Sequence, residues 1–345
     1  MPEVEKRLSD DISRKVYDMR VNFAIYEDLD YWTSNVLQLG RDWKFNSKFE
    51  TFVDDNKIEN IVIFGAGEYG RNVVLCLLNS RYRNLNIFIC DNDKIKQGLK
   101  IHGFDVLAPE EAVKIPNSVI TIGICSKIIY NQVHQQLLNM GYPEEKIFRP
   151  LCGTSEWQYF DYFKPNESEI FVDGGCLNGK TSVEFTKWIK QENGGTYEYI
   201  YSFEPDPSSI DSCRQMFKDN NLKGEVFDRG LWNENTILSF KADGNAASRI
   251  SDAGQVQIKT ATLDEVLAGR KVTFVKLDIE GAEYNALIGA KQTIQKWHPR
   301  MAVCLYHKLW DVFEIPALIL EIQPDYKFAL RQYRTDLGDT ILYAY

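Results

Sequence analysis

The sequence predicts an α/β protein made of two strand–helix–strand domains in tandem behind a helical segment. Three observations predict it. Two apolar strands run directly into glycine-rich turns that open helices, at 61–70 and again at 170–181. Further short apolar strands alternate with helical stretches after each turn, which gives parallel strands joined by right-handed crossovers. The chain then finishes on two strands, 326–333 and 340–345, whose short connection at 334–339 reads as an antiparallel hairpin.

The bulk properties agree with a soluble globular protein. The chain has 345 residues, room for two domains, and is 44% apolar, 26% charged and 13% aromatic. A formal charge of −9 argues against nucleic acid or an anionic membrane as partner, because phosphate binding needs a basic face. Cys76, Cys90, Cys125, Cys152, Cys176, Cys213 and Cys304 are scattered, with no CxxC pair and no histidine cluster beside them. That usage fits reduced thiols in the cytoplasm better than a disulfide frame or a zinc site. The charged opening MPEVEKRLSDD lacks the apolar centre of a signal peptide. No apolar run reaches the roughly 20 residues that a membrane span needs.

Residues 1–57 read as helical. Ile12, Val16, Met19 and Phe23 fall four, three and four apart and so share one helix face. Trp32, Val36, Leu37 and Trp43 extend a second amphipathic element. The segment reads as a cap packed on the next domain, or as a lid or a homo-oligomerisation arm.

Residues 58–150 form the first α/β domain. Strand 61–64 enters Gly65-Ala66-Gly67-Glu68-Tyr69-Gly70, and the helix that follows shows Val73, Val74, Leu77 and Leu78 on one face. Strand 87–90 ends at Asp91-Asn92-Asp93, and strand 119–122 precedes a helical stretch, 128–140, that Gly141 closes. Residues 151–167 read as a linker rich in rings (Trp157, Tyr159, Phe160, Tyr162, Phe163) that are expected to pack between the domains. The second α/β domain covers 168–345, with strands at 170–173, 199–203, 226–227, 273–277 and 302–306 before the hairpin.

The candidate chemistry lies in that second domain. Strand 170–173 ends in Asp173 and a turn, Gly174-Gly175-Cys176-Leu177-Asn178-Gly179-Lys180-Thr181. Glycines there let backbone approach a ligand, and the amides of a helix start suit a carboxylate. Asp173 can take a ligand ammonium. The next strand ends in Glu204-Pro205-Asp206, where an acid at the tip is placed to hold both hydroxyls of a ribose. Glu204 is the first choice for that role, with Asp206 and Asp228 as further cofactor contacts. A third segment, Lys276-Leu277-Asp278-Ile279-Glu280-Gly281-Ala282-Glu283, follows a buried strand and so lies at the carboxyl edge of the sheet. Ionisable groups concentrated there are costly to desolvate unless they bind something, an ion-pair network capping the next helix being the plainer reading. A divalent metal on Asp278, Glu280 and Glu283 is conceivable, but the spacing is not metal-specific, and none is expected. His307 ends the fifth strand at the same edge, where an imidazole can act as general base.

These segments resemble the FkbM family of S-adenosylmethionine-dependent methyltransferases. The matching stretches are FVDGGCLNGKTS (171–182), YSFEPDP (201–207), VKLDIEGAEYNALIGA (275–290) and CLYHKLWDVFEIPALI (304–319). The resemblance covers 168–345 and implies a class I methyltransferase fold, a parallel sheet finished by an antiparallel hairpin. It implies S-adenosyl-L-methionine as cofactor, bound by Asp173, Gly174, Gly175, Cys176, Asn178, Gly179, Thr181, Glu204, Asp206 and Asp228. It also implies O-methylation of a hydroxyl on a sugar, glycan or natural product. Two departures stand out: Gly174-Gly175-Cys176 occupies a place where many members have a small residue, Gly, then Ala, and Arg331-Gln332-Tyr333 replaces an Arg-His-His. The expected roles are His307 as base, Asp278 as second candidate, Lys276 as an orienting charge, and Glu280, Glu283 and Arg331 as acceptor contacts. The 58–150 domain resembles the small Rossmann-like nucleotide-sugar-binding modules found beside sugar-modifying enzymes. Gly65, Gly67, Gly70 and Asp91 (or Asp93) would form a second nucleotide site there, and packing or dimerisation is the competing use. The rivals to methyl transfer are a nucleotide-dependent oxidoreductase using the GAGEYG turn and a non-catalytic cofactor-binding scaffold.

Overall fold

The structure, a computed structural model, describes residues 2–39, 45–124, 126–149, 157–241, 249–250 and 254–345. Trp43, Cys125, Cys152 and residues 151–156 of the expected linker lie outside the described residues. The chain divides into two compact units. One takes in Met1–Trp32, Ser155–Tyr333 and Gly338–Tyr345; the other takes in Thr33–Thr154 and Arg334–Leu337.

The helical reading of the first segment holds, as α1 (Pro2–Lys6), α2 (Asp11–Tyr26) and α3 (Leu29–Val36), with α4 (Ser47–Asp55) after the undescribed residues. Helix α2 starts where Asp10 accepts the Ser13 amide at 2.8 Å, a side-chain cap on an otherwise unpaired donor. Val16 and Met19 are buried as their spacing predicts, whereas Ile12, at the edge of the stripe, stays partly exposed.

The smaller unit continues with β1 (Asn60–Phe64), α5 (Glu68–Leu78), β2 (Asn86–Cys90), β3 (Lys100–Ile101) and β4 (Phe104–Leu107). It ends with α6 (Pro109–Ala112), β5 (Ser118–Ile122), α7 (Lys127–Asn139) and β6 (Ile147–Phe148). The strand order is β3-β4-β2-β1-β5-β6, and all pairs except β3–β4 are parallel. Strand β1 is buried along its whole length, which is why it reads as an unbroken apolar run and not as an alternating one.

The larger unit holds β7 (Ser168–Gly174), α8 (Lys180–Asn193), β8 (Thr196–Phe203), α9 (Ile210–Asp219) and β9 (Gly224–Phe227). A four-stranded excursion follows: β10 (Gly230–Leu231), β11 (Ile237–Lys241), β12 (Arg249–Ile250) and β13 (Val256–Ala261). The chain returns through α10 (Leu263–Leu267), β14 (Phe274–Leu277), α11 (Glu283–Ile288), α12 (Lys291–Trp297), β15 (Arg300–Cys304) and α13 (Asp311–Ile322). It closes on β16 (Phe328–Gln332) and β17 (Thr340–Ala344). The main sheet has seven strands in the order β16-β17-β15-β14-β7-β8-β9. Strand β17 is antiparallel to both neighbours and sits between β15 and β16, so the hairpin is inserted into the sheet edge. The remaining pairs are parallel. The chain runs outward from β7 to β9 and then returns to β14 on the other side. The carboxyl ends of β7 and β14 therefore flank the point where strand order reverses, the usual crevice for ligands in open α/β sheets.

The aromatic residues of the expected linker pack inside this unit. Phe160 stacks on Trp188 at 5.2 Å between ring centroids and meets Phe171, Phe185 and Phe274. Helix α2 belongs to the same unit: the Leu330 amide donates to Ser13 Oγ at 3.0 Å, and the Ser9 amide to the Phe328 carbonyl at 2.8 Å. Among the described residues no helix is long and apolar enough to cross a membrane.

Candidate active site

The turn after β7 is a tight backbone crossing. Gly175 has φ +75°, and a Cβ there would lie 1.9 Å from the carbonyl oxygen of Asp278, so only glycine fits. Lys276, 1% exposed on β14, holds the turn from behind. Its Nζ donates to Asp173 Oδ1 at 3.1 Å, to the Gly174 carbonyl at 2.8 Å and to the Gly175 carbonyl at 2.7 Å. An ammonium has three protons, and all three are engaged. Burial alone would lower the Lys276 pKa, but the charges of Asp173 and Asp278 outweigh it and hold the pKa above its ordinary value.

Two expectations are corrected here. Asp173 is fully buried, with one oxygen on Lys276 and the other taking the Ser182 hydroxyl at 2.8 Å, so it is closed to a ligand ammonium. Lys276 is a positioning residue for the turn and has no donor left to orient an acceptor.

Glu204 ends β8. It is 5% exposed; one oxygen accepts the Leu177 amide at 2.7 Å and the other the Asp206 amide at 2.9 Å. Burial pushes its pKa up to about 7, against the opposing pull of those two amide bonds. It lines a cavity of about 260 Å³ together with Gly175, Cys176, Leu177, Asn178 and Thr181 of the turn. Leu231, Phe240 and Ile258 of the small sheet supply an apolar wall, and Tyr159, Lys276, Asp278 and Glu280 also line it. Gly174, Gly179, Asp206 and Asp228 do not line this cavity. Asp206 instead caps the next turn, accepting the Ser208 amide at 2.9 Å and its hydroxyl at 2.7 Å. Asp228 lies at the surface, 3.9 Å from Arg214.

The ends of β14 and β15 carry the charged cluster. Asp278 accepts the hydroxyls of Tyr159 at 2.5 Å and Tyr306 at 3.1 Å, and His307 Nε2 lies 3.4 Å away. Burial raises the Asp278 pKa, but Lys276, His307 and the Tyr159 hydrogen bond more than reverse this, so it stays below its ordinary value. The His307 ring, 7% exposed, places Nδ1 2.8 Å from Glu283 and Nε2 3.5 Å from Glu280. Burial would lower its pKa; Glu280, Glu283 and Asp278 together drive it to about 11. An imidazole charged at neutral pH has no lone pair to accept a proton, so His307 in this state is not the general base expected of it.

Glu283 also departs from expectation. It is fully buried and bonds the Ile279 amide at 2.9 Å and the His307 ring, so it orients that ring and does not face an acceptor. Arg331 is structural as well: it pairs with Asp10 at 2.7 Å, bonds Ser13 at 3.1 Å and lies over the Tyr162 ring at 4.9 Å. In the smaller unit, Asp91 accepts the Ala66 amide at 2.7 Å and the Asp93 amide at 2.8 Å, and Lys96 lies 3.3 Å away. The acid expected to read a ribose thus ties down its own turn. Gly65 (φ +118°) and Gly70 serve a close backbone crossing, since a Cβ on Gly70 would sit 1.8 Å from the Gly65 carbonyl oxygen, while Gly67 is open.

Sequence reasoning missed Tyr159 and Tyr306, which hold Asp278, and the apolar wall of the cavity. The alternation Val256-Gln257-Ile258-Lys259 was a strand signal for that wall.

A seven-stranded sheet in this order, with one antiparallel strand inserted beside its edge and a glycine turn at the reversal point, has the topology of the class I methyltransferase fold. Residues 174–338 match the family model described as Methyltransferase FkbM domain. Residues 57–148 match a second model, C2185-like, N-terminal. No curated protein matches the chain. Among solved structures, the methyltransferase FkbM from Methylobacillus flagellatus KT is 17% identical, with 94% of this chain and 100% of that one covered at a TM-score of 0.49. An rRNA methylase from Streptococcus thermophilus is 14% identical over 52% of this chain and 87% of that one, at a TM-score of 0.33.

Proposed function

We propose that the larger unit binds S-adenosyl-L-methionine in the Glu204 cavity and methylates a hydroxyl of a small acceptor, a sugar or glycan, free or nucleotide-linked. The observation that carries this reading is Glu204 itself. It is an ionisable group at the tip of the second strand, buried on a cavity wall, and each of its oxygens accepts one backbone amide. A carboxylate oxygen offers two lone pairs, so capacity remains for two ligand hydroxyls.

The residues fit the cofactor part by part. Glu204 holds the ribose; Leu231, Phe240 and Ile258 give an apolar slot for the base. At the start of α8 the Lys180 amide is taken by Asn178 Oδ1 at 3.1 Å, and the Thr181 amide is left for the carboxylate. Bound there, S-adenosyl-L-methionine supplies a methyl on a positively charged sulfur. The protein's share is then alignment and removal of one proton from the acceptor. Asp278, fixed by two tyrosyl hydroxyls, accepts the acceptor hydroxyl and aligns it, and correct alignment is worth several kcal/mol of barrier.

Isothermal calorimetry with S-adenosylhomocysteine tests the cofactor half, with Glu204→Gln expected to weaken binding at least tenfold. Mass spectrometry across a panel of sugars and glycans, read for one added methyl, tests the acceptor half. No heat from the wild-type chain, or the same affinity in Glu204→Gln, would refute the proposal.

A further inference from the structure

Three side chains from adjacent strand ends converge at the cavity rim. One carboxylate oxygen each of Asp278 and Glu280, and a ring nitrogen of His307, lie within 4.8 Å of one another. His307 is 93% shielded and Glu283 occupies its Nδ1 at 2.8 Å. Its Nε2 is buried, aimed between the two acids at 3.4 and 3.5 Å, and forms a hydrogen bond with neither. The geometry points to a divalent-cation site whose ligands are Asp278, Glu280 and His307 Nε2, with Glu283 as the residue that orients the ring.

Several independent features converge on that assignment. A carboxylate on the far nitrogen of a histidine is the arrangement that fixes its tautomer in metal sites, leaving the other nitrogen's lone pair for the ion. Three carboxylates surround one imidazole; Lys276 is engaged with Asp173, and the Lys308 side chain lies against the Gly281 turn. The cluster therefore keeps surplus negative charge even with a charged ring, and a divalent ion would neutralise it. Glu280 takes a left-handed backbone, φ +54°, followed by Gly281 at φ +93°, and this turn brings its carboxylate back towards the histidine. One nitrogen and two carboxylate oxygens suit a first-row ion such as Mn²⁺ or Fe²⁺, which would keep positions open beside three protein ligands. This differs from the sequence expectation on two counts: a metal was not expected, and the third ligand is His307, not Glu283.

The site's use rests on the methyl-transfer reading; its existence does not. An acceptor hydroxyl bound to the cation would become more acidic; its oxygen bonds the methyl carbon as the sulfur–methyl bond breaks, and its proton passes to solvent, one proton for each methyl transferred. A vicinal diol, as in a sugar, could occupy two open positions together.

The test uses the full chain, stripped with a chelator, titrated with Mn²⁺ and read by electron paramagnetic resonance. S-adenosylhomocysteine binding is measured calorimetrically on the same sample. Saturable Mn²⁺ binding at one site is expected, weakened at least tenfold in His307→Gln and in Glu280→Gln, and about 10–100-fold in Glu283→Gln through the ring it holds. Glu280 is on a partly exposed turn, so its variant keeps the fold, which thermal unfolding verifies. Absence of saturable binding by the wild-type chain, or equal binding by the His307 and Glu280 variants, overturns the site. Homocysteine-ligand binding without Mn²⁺ binding overturns the cation and leaves the methyltransferase reading; Mn²⁺ binding alone does the reverse.

Discussion

Replacing Lys276 with methionine separates a structural lysine from a catalytic one. Met keeps the apolar stem and removes the charge, so Asp173, fully buried, loses its cation, and the Gly174 and Gly175 carbonyls lose their donor. Removing one partner of a buried pair costs about 3–5 kcal/mol. A second route gives a similar figure. An unpaired buried carboxyl escapes its charge by taking up a proton, which at pH 7 costs about 4 kcal/mol for an acid of ordinary pKa. Urea unfolding followed by tryptophan fluorescence reads the loss, with Trp188, buried against Phe160, as a reporter within the unit. The loss is expected to shrink towards pH 5, where protonation is cheaper. Adding Asp173→Asn is expected to recover more than half of it, because the stranded charge is then gone. A single-variant loss below about 1 kcal/mol, or no recovery in the double variant, would show that the pair does not hold the turn.

Glu204 makes a pH prediction. Its pKa is raised to about 7, so below that value it is protonated and a poorer acceptor. S-adenosylhomocysteine affinity is expected to fall as pH drops from 8 to 6, and calorimetry on Glu204→Gln is expected to give a flat profile. For stability the sign is opposite: this raised acid favours the folded state at low pH, and that contribution disappears as pH rises through about 7. Gly175→Ala places a Cβ against the Asp278 carbonyl at 1.9 Å and should abolish cofactor binding, with a thermal shift as readout. Arg331→Ala should lower stability by about 1–3 kcal/mol while leaving S-adenosylhomocysteine affinity unchanged, which denaturation and calorimetry check together. Its partner Asp10 is held below the usual carboxylate range: burial opposes this, but the bonds from Arg331 and Ser13 prevail. The latch therefore persists above an unfolded pKa near 3.8 and weakens as pH falls below it.

Local pattern carried the fold and distance hid the roles. Strands β7, β8, β14 and β15 are apolar runs with polar tips, so both their existence and their polar ends were readable, as was the closing hairpin. The turn and Glu204 were found for the same reason: their chemistry is local. The Lys276–Asp173 pair spans 103 residues and the Arg331–Asp10 pair 321, and nothing in either neighbourhood announces the other. Lys276 and Arg331 therefore read as free charges when each is engaged. His307 was placed at the right edge, but its surroundings, which decide whether it carries a proton, come from the turn of a different strand. The ring-rich stretch at 157–163 looked like packing between domains because aromatic composition says nothing about which core receives it.

Helix α2 meets β16, and the Ser13 hydroxyl waits for an amide 317 residues downstream. On a ribosome the opening helix emerges long before the strand it docks on, and a lone helix of 16 residues is marginal in water. Residues 33–154, which carry a sheet of their own, are made in the interval. A strand made long after α2 thus fastens it, and a chain released before β16 would carry that helix undocked. Amide exchange on α2 should accordingly be fast in any product shortened before β16 and slow in the full chain.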